Sequence, residues 1–217
     1  MQTERFSRRY GCAFLATCFV VIGYWFSVAH AEEMVLYVAD GGDLTTLHST
    51  TISEMTVSGT VLNTWFPPEC WGEVWSGQLV YDGQNLYEHV LEQFHYVTLG
   101  GVWLSSFQSR SWDGYGPTLR GLAWKEGELW AAADGGDLFR IDTTTGDLVE
   151  RIELSGNARG LTWDGNTFWV SDPNAHVINR VSTDGTILST ISHPAEWLIQ
   201  DLAWDGTYLW AAEDHYD

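Results

Sequence analysis

Carboxylate and guanidinium groups recur in this chain where they could hold a cation or clamp an anion. Asp40 and Asp43 bracket Gly41-Gly42, and Asp134 and Asp137 bracket Gly135-Gly136; Asp172 with Asn174 and Asp214 with His215 follow other apolar stretches. Oxygen-rich clusters of this type suit Ca2+, a hard cation that takes roughly six to eight oxygens, so Asp40, Asp43, Asp134 and Asp137 are the candidate metal ligands. Arg120 and Arg159 each stand just before a Gly-Leu step. Two guanidinium groups aimed at one cleft could clamp a carboxylate or phosphate. The same residues have an architectural use. Aspartate bonds the backbone of its own turn and glycine supplies positive φ, so each Asp-Gly-Gly-Asp is first of all a tight-turn sequence, and the arginines are suited to pairing with such turns.

Other chemistry finds less support. His48, His89, His95, His176, His193 and His215 share no repeat position and no close metal spacing, so no zinc site is indicated. No Gly-x-Ser-x-Gly elbow is present. Trp71, Trp75, Trp112 and Tyr115 sit among Gly and Pro, where aromatic faces can stack on sugar rings or on a partner protein; capping the ends of the core is their alternative use.

These residues are positioned by a repeat. An aromatic pair six residues apart brackets a tight turn at Tyr81–Tyr87, Trp124–Trp130, Trp163–Trp169 and Trp204–Trp210, with steps of 43, 39 and 41 residues between copies. That is the period of a four-stranded propeller blade. In the clearest copy, Gly121 to Trp124 alternates, a Lys125-Glu126-Gly127 turn follows, and Leu129 to Ala133 runs into Asp134. Leu138 to Asp142 then alternates and Leu148 to Leu154 closes the unit. This is a four-stranded antiparallel meander. Leu36 to Leu44 matches Leu129 to Leu138 with one alanine fewer, so the first blade is expected to begin at its second strand. Segments 67–71 and 109–117 read as loops between blades. The expected fold is therefore an all-β propeller with about four to five blades. Either its partial ends combine into an imperfect fifth blade, or the ring is incomplete and the chain is cut short at its carboxyl end; the second reading is favoured, because both ends carry a second-strand match.

The pattern G-L-x-W-D-G-x-x-x-W, followed by an Asp turn, an alternating strand and a T-x-D-G or T-T-G-D turn, resembles secreted bacterial propellers of the YVTN, NHL and streptogramin-lyase-like kind. It is similar also to glutamine cyclotransferase repeats. The resemblance spans residues 34 to 217 and is best from 119 onward. It implies the fold, while the activities of such relatives range over lyases, lactonases, cyclotransferases and binding modules, and it carries over no catalytic set residue by residue.

The chain's address is read from its start. Arg5, Arg8 and Arg9 precede an apolar run from Gly11 to Val28 that closes on Ala29-His30-Ala31. This predicts a secretory signal over residues 1–31, or an uncleaved amino-terminal anchor, followed by a propeller domain over 32–217 in a secreted or periplasmic setting. Cleavage would leave Cys70 as the lone cysteine, so no internal disulfide is expected. The net charge is −19, with Lys125 the only lysine. Nucleic acid is therefore disfavoured as a partner, as are anionic membranes once the signal is removed, because both require cationic patches.

The functional expectation is a binding platform for a protein, a glycan or a small anionic ligand. Its ligand would be met by Arg120, Arg159, Asp134, Asp137, Asp172, Asn174, Asp214, Trp112 and Tyr115. The alternative is a metal-dependent or carboxylate-based enzyme of the lyase, lactonase or cyclotransferase type.

Overall fold

A computed structural model of the chain describes residues 18–24, 34–40, 51–66, 78–90, 93–109, 118–194 and 197–215. Every regular element among them is a strand. The expected cleavage site at 29–31 lies outside the described residues, as do Asp43, His48, Cys70, Trp71, Trp75, Trp112 and Tyr115.

Four four-stranded antiparallel sheets and one two-stranded sheet follow in chain order. The first blade is β1 (Cys18–Tyr24), β2 (Met34–Asp40), β3 (Thr51–Thr56) and β4 (Val61–Trp65). The second is β5 (Gln78–Tyr81), β6 (Leu86–Val90), β7 (Gln93–Val97) and β8 (Trp103–Gln108). The third is β9 (Leu119–Lys125), β10 (Glu128–Ala133), β11 (Asp137–Ile141) and β12 (Leu148–Glu153). The fourth is β13 (Leu161–Trp163), β14 (Phe168–Asp172), β15 (Val177–Val181) and β16 (Ile187–Ser192). The fifth sheet is β17 (Trp197–Trp204) with β18 (Leu209–His215). Contacts run β1 to β5, β5 to β9, β9 to β13, β13 to β17 and β17 back to β1, so the first strand of each sheet lies at the centre of a ring. The chain is a β-propeller with four full blades and an incomplete fifth.

One expectation is corrected. The first blade does not lack its inner strand: Cys18–Tyr24, from the apolar run read as an export signal, pairs antiparallel with β2 from Cys18↔Asp40 to Tyr24↔Met34. A long apolar segment satisfies strand and signal patterns alike, because neither demands alternation when both faces are covered.

The paired aromatics explain the ring's cohesion. Tyr87, Trp130, Trp169 and Trp210 are each at most 9% exposed, and each sits in an apolar cluster that joins two neighbouring sheets. A fifth cluster, around Tyr37, Leu79 and Leu86, joins the first and second blades. Asp164 shows why aspartate follows the first tryptophan. Its Oδ1 accepts the N–H groups of Asn166 and Thr167 at 2.9 and 2.6 Å, and its Oδ2 accepts Nε1–H of Trp169 at 2.9 Å. Asp205 repeats this, accepting Thr207 N–H, Tyr208 N–H and Trp210 Nε1–H. The carboxylate thus closes the turn and fixes the indole that packs between blades. Burial opposes ionisation of Asp164, but the hydrogen bonds from Thr167, Asn166 and Trp169 outweigh it and hold its pKa below the usual carboxylate range.

Glycine sets the spacing of the blades at two places. Gly121 N–H donates to the Arg159 carbonyl, and a Cβ at Gly121 would lie 2.3 Å from Leu161 N, so the inner strands approach backbone to backbone. Gly146, at φ +77°, lies in the third blade's outer turn, where a Cβ would fall 1.8 Å from the Gln108 carbonyl of the preceding blade.

Candidate functional site

The turns between second and third strands and the connections into first strands gather at one end of the third and fourth blades. Arg120, on β9, forms a two-pronged ion pair with Asp134 after β10, with Nε to Oδ1 at 3.0 Å and Nη2 to Oδ2 at 2.7 Å. Asp137 at the start of β11 meets Arg151 of β12 at 3.1 Å. The two carboxylates of Asp134-Gly135-Gly136-Asp137 are thus each claimed by a guanidinium of their own blade, the structural use that the turn sequence allowed. A Ca2+ ion there would have to displace both. Among the described residues, no three His, Cys, Asp or Glu side chains gather into a possible metal site.

Asp172, only 5% exposed, is occupied by backbone. Its Oδ1 accepts the N–H groups of Asn174 and Ala175, both at 3.0 Å, and its Oδ2 accepts that of Asn157 at 3.0 Å. Gly156 is required by this closeness, since a Cβ there would lie 2.7 Å from Asp172 Oδ2. Gly135, Gly156, Asn157, Asp172, Asn174 and Ala175 together line an open depression of about 480 Å³ between the third and fourth blades.

The remaining expected residues are placed as follows. The Arg159 backbone bridges two blades, with its N–H to the Ser171 carbonyl at 3.0 Å and its carbonyl accepting Gly121 N–H. Asp40 ends β2 opposite Thr51, and Asp214 in β18 stands opposite Leu198. The structure therefore brings together the turns that carry Asp134 and Asp172 with Asn174.

A second polar group lies inside the fold and was missed by sequence reasoning. Glu88 on β6 is fully buried, opposite Leu79 on β5 and His95 on β7. Neither of its carboxylate oxygens has a hydrogen-bond partner among the described residues, and burial pushes its pKa up to about 8. Next to it, His89 Nδ1 lies 2.9 Å from Gln78 Oε1. Burial, and then the charge of His95, push the His89 imidazole down to about 3. Asp201 on β17 is also buried, and burial raises its pKa well above the ordinary value against the opposing bonds from the N–H groups of Leu202 and Leu161. The available signal was the break in the repeat. Glu88 and His89 stand where the other copies carry Ala131-Ala132, Val170-Ser171 and Ala211-Ala212, and Gln78 and Asp201 stand where they carry Gly121 and Gly160.

Similarity to solved structures agrees with the fold. The glutaminyl cyclase of Myxococcus xanthus superposes with a TM-score of 0.66 at 12% identity, covering 91% of this chain and 85% of that one. A streptogramin B lyase gives 0.51 at 12% identity, covering 92% and 67%. The WD40 domain of Neurospora crassa Pan2 gives 0.52 at 13%, covering 81% of this chain and 51% of that one. No family model matches the chain, and no curated protein sequence matches it. At these identities the likeness defines the fold class, the β-propeller.

Proposed function

We propose that this chain is a binding platform whose ligand is met at the depression between the third and fourth blades. The observation that carries this reading is the depression itself. It is open and built on turns pinned by Asp172, and its lining joins the amide side chains of Asn157 and Asn174 to glycine backbone. Such a surface offers amide donors and acceptors beside the Asp172 carboxylate, which suits a glycan or an extended peptide. The Arg120–Asp134 pair lies on the neighbouring turn as an exchangeable charged rim. Screening the full chain against immobilised glycans and peptides tests this: Asn157→Ala and Asn174→Ala should each weaken the retained ligand without shifting the melting temperature. Binding indifferent to both variants would refute the site.

A second reading rests on Glu88. A buried carboxyl group kept protonated near neutral pH can deliver a proton to a leaving group, and the fold is shared with a glutaminyl cyclase. In this reading the α-amine of an amino-terminal glutamine attacks its own side-chain carbonyl, and the C–N bond to the amide nitrogen breaks. Glu88 donates the proton with which that nitrogen leaves as ammonia, and takes in exchange the proton that the attacking amine gives up as the new C–N bond forms. Ammonia released from a glutaminyl peptide by the wild type, and lost in Glu88→Gln, would favour this reading over the platform; no release would discard it.

A further inference from the structure

Two histidines meet beside the depression. The turn that begins at Asp172 ends at His176, immediately before β15, and His193 immediately follows β16. The His193 N–H donates to the His176 carbonyl at 3.1 Å, which holds the two residues across the hairpin from one another. Their ring centroids lie 5.8 Å apart and their planes stand at 84° to one another.

The hydrogen bonds of His193 fix its tautomer. Nδ1 lies 3.0 Å from the Pro194 carbonyl oxygen. A carbonyl only accepts, so Nδ1 carries a proton, and in the neutral ring the lone pair therefore sits on Nε2. That Nε2 is buried and has no hydrogen-bond partner among the described residues, and the same holds for Nδ1 of His176. An imidazole whose outer N–H is tied to a backbone carbonyl while its other nitrogen stays unprotonated is prepared to ligate a metal. The ring separation agrees. With metal–nitrogen bonds of about 2.0–2.1 Å, an ion lies roughly 3.2 Å from each ring centroid, so two rings on one ion are about 4.5–6.4 Å apart.

We propose that His176 and His193 form a two-imidazole site for a divalent transition metal of the zinc and copper class. Nitrogen donors suit these ions and not Ca2+. Asp172, the carboxylate at the start of the same turn, is already taken by three backbone N–H groups. The site is independent of the Asp-Gly-Gly-Asp turns and of Glu88.

Calorimetric titration of the chelator-treated full chain with Zn2+, and separately with Cu2+, tests the proposal. His193→Gln removes one ligand. His176→Asn removes the other while keeping a residue suited to the left-handed backbone at φ 54°. One saturable site is expected in the wild type, weakened about tenfold or more in each single variant and absent in the double variant. Metal should raise the wild-type melting temperature and leave that of the double variant unmoved. Melting curves without metal separate loss of the site from loss of the fold. Equal affinity in all the chains would place the metal on other histidines and overturn the proposal, as would the absence of saturable binding by the wild type.

Discussion

Replacing Glu88 with glutamine removes one proton-binding group from the interior while keeping its shape. In the folded chain burial raises this carboxyl group from 4.5 to about 8. Because the folded value lies above the unfolded one, the folded chain retains a proton that the unfolded chain has released. The resulting stability is complete below about pH 4.5 and is lost as pH rises through about 8, at roughly 1.4 kcal/mol per pH unit and about 4–5 kcal/mol in all. His89 acts in the opposite sense. Its folded value, about 3, lies below 6.5, so its cost appears as pH falls below 6.5 and the unfolded chain takes up a proton first. The two slopes oppose one another between about pH 4.5 and 6.5, leaving a plateau, and above it Glu88 acts without compensation from His89. Asp201 is raised too and adds its own loss of stability as pH rises above 3.8 in both chains, so the diagnostic quantity is the difference between wild type and Glu88→Gln. Urea unfolding followed by tryptophan fluorescence at several values between about pH 6.5 and 8 measures it. The wild type should lose stability faster than the variant by about 1.4 kcal/mol per pH unit. Equal slopes would mean that Glu88 is ionised and partnered in the folded chain, and would refute the argument from burial.

Gly146→Ala and Gly165→Ala both place a side chain at positive φ, but only Gly146 faces a neighbouring carbonyl, at 1.8 Å, whereas nothing lies within 4 Å of Gly165. The cost in denaturant unfolding should be about 1–2 kcal/mol at Gly165 and at least about 1 kcal/mol greater at Gly146. A double-mutant cycle of Asp164→Asn with Trp169→Phe should show a coupling of about 1–2 kcal/mol from the 2.9 Å indole bond. Because the folded pKa of Asp164 lies below the ordinary 3.8, its stabilising contribution is present above 3.8 and is lost as pH falls through the lower folded value.

Much of the fold was legible because a blade is one supersecondary unit written repeatedly. The aromatic spacing located second strands correctly in all four copies, since Tyr87, Trp130, Trp169 and Trp210 each fill the same interface. The Asp134-Gly135-Gly136-Asp137 sequence follows β10 as a turn, and Arg120 of the same blade pairs with its first aspartate. The inner strand of the first blade escaped because its sequence lacks the acidic-Gly step that precedes the second aromatic in the other copies. An apolar run without alternation reads as a signal core as readily as a covered strand.

The functional candidates obey a different logic. A repeat makes each position predictable from its counterparts, so residues that only maintain the fold are those that conform. Gln78, Glu88, His89 and Asp201 depart from small or apolar counterparts, and three of them are buried ionisable groups whose retention costs stability near neutral pH or in acid. Such departures mark where the ring spends stability on something other than the ring. His176 and His193 could not be found in this way. Neither shares a position with another histidine, and they become a pair only through the hairpin register that closes β15 on β16 from Val177↔Ser192 inward. Local pattern therefore located the interior acids in principle, whereas the histidine pair required the three-dimensional closure of the blade.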